Sequence, residues 1–240
     1  MKKFLTARWE DLVMANYAVE PSLLEKRVPK GTSLDLFEGK CYASLVCFKF
    51  LGTRVLGIPV PLHTDFEEVN LRFYVKREAK DGLRRGVVFV KEIVPRAMIS
   101  FVARTMYGEP YETWQMSHAQ KGNELTYSWS KDGVKNRVHV EIAENLGVPD
   151  EGSHGEFIIE HYWGYTNRGQ RRTDEYRVEH PKWELSDINY AELDVDFAKT
   201  YGNEFGFLSE TEPESLLIAE GSEIAVYKGE AIRGVTSFGF

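Results

Sequence analysis

The chain is poor in cysteine, has no long apolar run, and has no segment dominated by charge of one sign. Its 240 residues include 2 cysteines. Cys41 and Cys47 fall six residues apart in what reads as one strand, where a rise of about 3.3 Å per residue separates them by roughly 20 Å, too far for a disulfide. They read as buried thiols of a cytoplasmic protein. No stretch approaches about 18 uncharged apolar residues, so no membrane-spanning helix is expected. After Met1-Lys2-Lys3-Phe4-Leu5, the charges at Arg8, Glu10 and Asp11 interrupt any signal-peptide core. The formal net charge is −7, but lysines and arginines are scattered and no basic cluster exceeds two residues, as at Arg171-Arg172. Neither nucleic acid nor anionic membrane is an expected partner.

Signature motifs are also missing. There is no Gly-x-Ser-x-Gly elbow, no Walker loop and no Gly-x-Gly-x-x-Gly turn, which weighs against serine hydrolase, nucleotide and nicotinamide chemistry. The 6 histidines (His63, His118, His139, His154, His161 and His180) never fall in a His-x-x-x-His or Glu-x-x-His arrangement on a predicted helix. No metal and no cofactor is expected.

What the chain does have is turn signals every 8–15 residues, among them Asp81-Gly82, Lys131-Asp132-Gly133 and Asn167-Arg168-Gly169, with intervals rich in Val, Ile, Phe, Tyr and Trp. This spacing predicts antiparallel strands joined by hairpins: Cys41–Phe50, Phe66–Val75, Gly86–Val94, Tyr111–His118, Glu124–Trp129, Arg137–Ile142, Glu156–Tyr165, Thr173–Glu179 and Ile224–Tyr227. A helix is predicted over 97–107 after Pro95, with weaker ones over Pro21–Arg27 and Ser186–Lys199. Gly57–His63 reads as a rim loop and Gly147–Gly155 as a surface loop. A chain this long suffices for one large core, and a single domain over 1–240 is expected. Whether it forms a homo-oligomer is not legible.

The most informative stretch follows Asp65. Glu68, Asn70, Arg72 and Tyr74 alternate with Val69, Leu71, Phe73 and Val75, so a strand here has one apolar face and one bearing a carboxylate, an amide, a guanidinium and a phenol. Such a face reads as pocket lining. A buried Glu68 needs a partner, which Arg72 on the same face or Lys91 on the following strand can supply, since alternation leaves either Lys91 or Glu92 facing in. A structural ion-pair network and a ligand-contacting role both fit, and they are compatible. Arg104 falls in the last turn of the predicted helix, ahead of Gly108 and Pro110, where it either caps carbonyls or reaches a ligand. Further on, Phe157 to Tyr165 and Thr173 to Trp183 read as a long hairpin with Glu160 and Tyr162 on one face, either as cross-strand packing or as a wall of the same pocket.

Trp9, Leu24, Pro29, Phe66-x-Glu68-x-Asn70-x-Arg72-x-Tyr74-Val75, Ala103-Arg104, Pro110-Tyr111, Glu160-x-Tyr162 and His180-Pro181-x-Trp183 together resemble the bacterial YqjF-like family. That family is grouped with the acetoacetate decarboxylases as a superfamily. The resemblance implies an α+β fold, predominantly antiparallel β, closing into a barrel or cone with a few short helices. It also implies a site containing Glu68, Arg104, Glu160 and Tyr162. The decarboxylases carry an Arg ahead of a Pro-Lys pair whose lysine forms a Schiff base with a β-keto acid. Here Tyr111 and Glu112 follow Pro110, and a phenol forms no imine. Schiff-base decarboxylation is therefore not expected, and Lys91 is the sole lysine placed to substitute from another wall.

These residues point to an internal polar pocket for a small molecule bearing a carboxylate or carbonyl. Arg72 and Arg104 would supply the anion site, Asn70 and Tyr111 orientation, and Glu68 a proton carrier. A lyase- or hydrolase-type enzyme acting on small oxo or hydroxy acids with Glu68 as acid or base, a non-catalytic binding protein, and a structural protein with a filled polar core are the competing readings.

Overall fold

Alternating residues and tight turns build a sheet of fifteen strands in the computed structural model, which describes residues 2–59, 64–95, 108, 110–169 and 172–232. The helix expected over 97–107, with Arg104, and the end of the expected rim loop lie outside the described residues. In chain order the first elements are β1 (Lys3–Val19), α1 (Pro21–Glu25), β2 (Ser33–Leu34), β3 (Cys41–Val55), β4 (Ile58–Pro59), β5 (Phe66–Ala79), β6 (Gly82–Val94) and β7 (Tyr111–Thr113). Next come β8 (Gln115–Lys121), β9 (Glu124–Lys131), β10 (Val134–Gly147), α2 (His154–Ile159), β11 (Trp163–Asn167) and β12 (Thr173–Glu179). The last are β13 (Leu185–Asp194), α3 (Phe197–Tyr201), a 3-10 helix (Asn203–Glu210), β14 (Ser215–Tyr227) and β15 (Glu230–Ala231). Among the described residues no helix is long and apolar enough to cross a membrane.

The pairing path runs β12-β11-β6-β5-β3-β1-β14 and returns to β12 through Val178↔Val226 and Glu179↔Ala225. From β14 the sheet continues into β13-β10-β9-β8. The pairs are antiparallel except for β6 with β11 and β6 with β7. The β9–β10 hairpin turns at Asp132 and Gly133, both with positive φ (51° and 84°), as a two-residue turn matched to strand twist requires.

Both faces of the central strands are buried, which is why Cys41–Phe50 reads as a near-continuous apolar run. One face, with Val69, Leu71 and Phe73 of β5 and Leu45 and Cys47 of β3, packs against Leu125, Tyr127 and Val140 of the β8–β10 layer and against Phe197 and Phe205. The other, with Met14, Val46, Phe48 and Tyr74, packs against Phe157 and Ile158 of α2 and Trp183. Cys41 and Cys47 are free and buried.

Several expected elements differ. Strand β1 was not predicted: Asp11 has φ 53° and the register shifts between Glu10 and Val13, so the alternation breaks where both faces become buried. Residues 156–159 are helical rather than extended. Ser153 Oγ accepts the Glu156 amide at 3.2 Å, while Glu156 Oε2 accepts the Gly152 amide at 2.6 Å, and this reciprocal capping starts α2. The expected long hairpin is accordingly a short one, with Trp163 opposite Arg177 and Asn167 opposite Thr173. Residues 186–194, expected within the helix over Ser186–Lys199, belong to β13 instead. Asn189 is an extra residue between the pairs Glu141↔Tyr190 and Ile142↔Ile188, and this bulge hides the period of two.

Candidate functional site

The polar face of β5 looks into a cavity of about 170 Å³. Glu68 and Asn70 are both 2% exposed and Arg72 is half-buried. Strand pairing brings the rest of the cluster: Asn70 stands opposite Glu92 of β6, and Glu92 stands beside Tyr111 of β7. Glu68, Asn70, Arg72, Glu92 and Tyr111 all line the cavity.

Lys91 does not. In β6 the pairs Leu71↔Lys91 and Arg72↔Phe89 leave Val90 as an extra residue. Without that bulge Val87, Phe89 and Lys91 would share a face. With it, Val87, Phe89 and Glu92 line the cavity, and Lys91 turns away to pair with Glu112 at 2.8 Å. Lys91 is therefore no partner of Glu68.

Glu68 Oε1 accepts from Asn70 Nδ2 at 3.1 Å and Oε2 from the Tyr111 hydroxyl at 3.2 Å. Burial pushes its carboxyl up to about 7, although the bonds from Asn70 and Tyr111 and the charge of Arg72 pull the other way. It thus sits between acid and base near neutrality. Burial, together with the charges of Glu68 and Glu92, holds the Tyr111 phenol well above its ordinary range, so it keeps its proton. Tyr111 also bonds Glu92. One phenolic proton serves one carboxylate at a time, so Tyr111 donates either to Glu68 or to Glu92.

Arg72 Nη2 donates to the Ile158 carbonyl at 3.4 Å, and its guanidinium lies 5.7 Å from the Tyr74 ring centre. Its Nε is buried and, like Asn70 Oδ1, has no partner among the described residues. Such atoms are costly unless something in the cavity bonds them.

Glu160 and Tyr162 do not line the cavity: Tyr162 donates to Glu160 at 2.6 Å and faces an outer groove beside Arg77 and Arg84. Between them, His161 does line it. The sequence reading missed His161 and His180 as cavity residues, and of the two inward choices that alternation left on β6 it took Lys91 over Glu92. The capping signal Ser153-x-x-Glu156 marked the helix that ends just before His161, whereas nothing local marked the bulge that brings in Glu92. His180 donates through Nδ1 to the Pro181 carbonyl at 2.8 Å and stacks on Trp183 at 4.0 Å. Among the described residues no group of three His, Cys, Asp or Glu is placed to hold a metal.

The DUF2071 family model, described as an uncharacterized conserved protein, matches residues 6–223. The uncharacterized protein YqjF of Bacillus subtilis (strain 168) is 26% identical over 192 residues, 78% of this chain and 77% of YqjF. Among solved structures, an acetoacetate decarboxylase from Legionella pneumophila superposes with a TM-score of 0.68 at 10% identity, covering 96% of this chain and 88% of that one. An acetoacetate decarboxylase-like enzyme from Sphingomonas wittichii RW1 gives 0.66 at 12% identity, covering 97% and 94%. The enduracididine biosynthesis enzyme MppR complexed with pyruvate gives 0.64 at 12%, covering 96% and 91%. What these structures share with this chain is the fold, mostly antiparallel sheet with few helices.

Proposed function

The chain belongs to the DUF2071 family, related by structure to the acetoacetate decarboxylase-like superfamily, and on that premise we propose that its cavity binds a small oxo or hydroxy acid and works on it without an imine. The ring of pairings from β12 around to β14 supports a closed barrel that shields the cavity from water. An apolar protein cavity of about 150 Å³ holds a benzene molecule, so about 170 Å³ suits a ligand of roughly six or seven heavy atoms. That MppR is described in complex with pyruvate, a molecule of this size, supports the class.

The observation that carries the reading is the buried Glu68 carboxyl, bonded by Asn70 and Tyr111 and facing the same cavity as Arg72. Arg72 takes the carboxylate, Asn70 and Tyr111 orient the neighbouring oxygen, and Glu68 exchanges a proton with it. Arg104 is a second candidate anion group on the family resemblance alone. Imine chemistry has no nucleophile: no lysine lines the cavity among the described residues, and the remaining segments contain none.

Binding without turnover is a second reading, favoured by the engagement of both Glu68 oxygens. The test is a thermal-shift screen of oxo acids, hydroxy acids and their neutral amides. A ligand at about a hundred times its Kd adds roughly 2.7 kcal/mol, about 5–10 °C for a chain of this size. A carboxylate-selective shift is expected, and turnover lost in Glu68→Gln with affinity kept would separate the two readings. No shift with any compound would favour a filled polar core.

A further inference from the structure

Asp35, just after β2, is 4% exposed and gathers three partners around its carboxylate. Arg85 Nε bonds Oδ2 at 2.6 Å, Lys76 Nζ lies 3.5 Å from Oδ1, and His161 Nε2 lies 3.3 Å from Oδ2. Burial pushes the Asp35 carboxyl up, but the bonds from His161 and Arg85 and the Arg85 charge outweigh it and hold the carboxyl well below its usual range, so it is ionised. An ionised carboxylate only accepts, so His161 must donate through Nε2. Burial, reinforced by the charges of Arg85 and Arg72, holds the imidazole down to about 4, and at neutral pH it is uncharged. Its single proton is therefore on Nε2 and its lone pair on Nδ1.

The ring has little freedom. It packs 4.7 Å from Tyr74 and stands edge-on to Phe157 at 5.2 Å. His161 lines the cavity, yet Nδ1 is buried and has no partner among the described residues. A fixed lone pair of this kind is an acceptor awaiting a donor. A carboxylate or ketone oxygen has no proton to give it, whereas a hydroxyl has.

We propose that the Asp35–His161 pair is a second recognition element of the cavity, a preset hydrogen-bond acceptor that selects acids carrying a hydroxyl group. The proposal rests on the carboxylate reading above and narrows it from oxo and hydroxy acids to hydroxy acids. His161 is a specificity-determining residue, and Asp35 is a positioning residue acting through it.

Matched probes test this: lactate with propionate, 3-hydroxybutyrate with butyrate, and neutral propane-1,2-diol. Each is titrated calorimetrically and followed by the ¹⁵N resonance of His161 Nδ1 in histidine-labelled wild-type protein, so the outcome does not depend on a variant folding. The free protein should show an unprotonated Nδ1. At least one hydroxy acid should bind about tenfold or more tighter than its partner and move that resonance, and His161→Phe should erase the preference while keeping acid binding. A protonated Nδ1 in the free protein, or equal binding within both pairs with the resonance unmoved, overturns the inference and leaves the carboxylate reading standing. Should the acids fail while the diol moves Nδ1, the acceptor stands and the carboxylate reading falls. Failure of every probe overturns both.

Discussion

Replacing Glu68 by glutamine should remove a pH dependence of stability rather than shift stability equally at every pH. Burial raises the Glu68 carboxyl from its ordinary 4.5 to about 7 in the folded protein, a difference worth on the order of 3 kcal/mol. The folded state binds this proton more tightly than the unfolded chain. The resulting stability is fully present below about pH 4.5 and drains away as pH rises through 7. Glutamine keeps the shape, offers Oε1 to Asn70 and Nε2 to the Tyr111 oxygen, and does not titrate. The stability of Glu68→Gln minus that of wild type should therefore grow by about 3 kcal/mol between pH 4.5 and pH 8. His161 works in the opposite sense. Its value falls from 6.5 to about 4, so its contribution is full above 6.5 and lost on acidification, but it is common to both proteins and cancels in the difference. Urea titrations followed by tryptophan fluorescence at half-unit pH steps supply the measurement. A difference constant to within about 0.5 kcal/mol across this window, or one that shrinks as pH rises, would refute the claim that Glu68 is a buried acid poised near neutrality.

Three further outcomes follow from the fold and the site. Incubation with pyruvate or acetoacetate and borohydride should leave the intact mass unchanged, whereas a trapped adduct on any lysine would restore an imine mechanism. Gly221 has φ 88° and stands where a Cβ would collide with the Trp9 carbonyl oxygen, so Gly221→Ala should cost more than about 2 kcal/mol by urea denaturation. Ser153→Ala removes the cap from the helix ahead of His161 and should cost about 1 kcal/mol by the same assay.

Much of this was legible one strand at a time. The alternation from Glu68 to Tyr74 gave both faces of β5 correctly because a strand without bulges transmits its period of two without error. On the neighbouring strand alternation leaves Lys91 and Glu92 both open and the sequence reading favours Lys91, but the bulge at Val90, which has no sequence signature, puts Glu92 in the cavity. Asp35 and His161 lie 126 residues apart and meet only through tertiary packing, which no local pattern records. For residues 156–159 the aromatic and β-branched run outweighed a Ser-x-x-Glu cap that was present in the sequence and decided the outcome. The family resemblance carried the fold further than periodicity did, since β1 and most of β14 were missing from the pattern alone.

The central claim is that the cavity recognises a small carboxylate through Arg72. Calorimetric titration of wild type and Arg72→Gln with lactate, 3-hydroxybutyrate and pyruvate, each against its amide, tests it most directly. Binding of at least one acid, none of its amide at the same concentration, and a loss of roughly tenfold or more in Arg72→Gln are expected for a charge-assisted bond. Equal affinity for acid and amide, or an acid affinity untouched by Arg72→Gln, would contradict it.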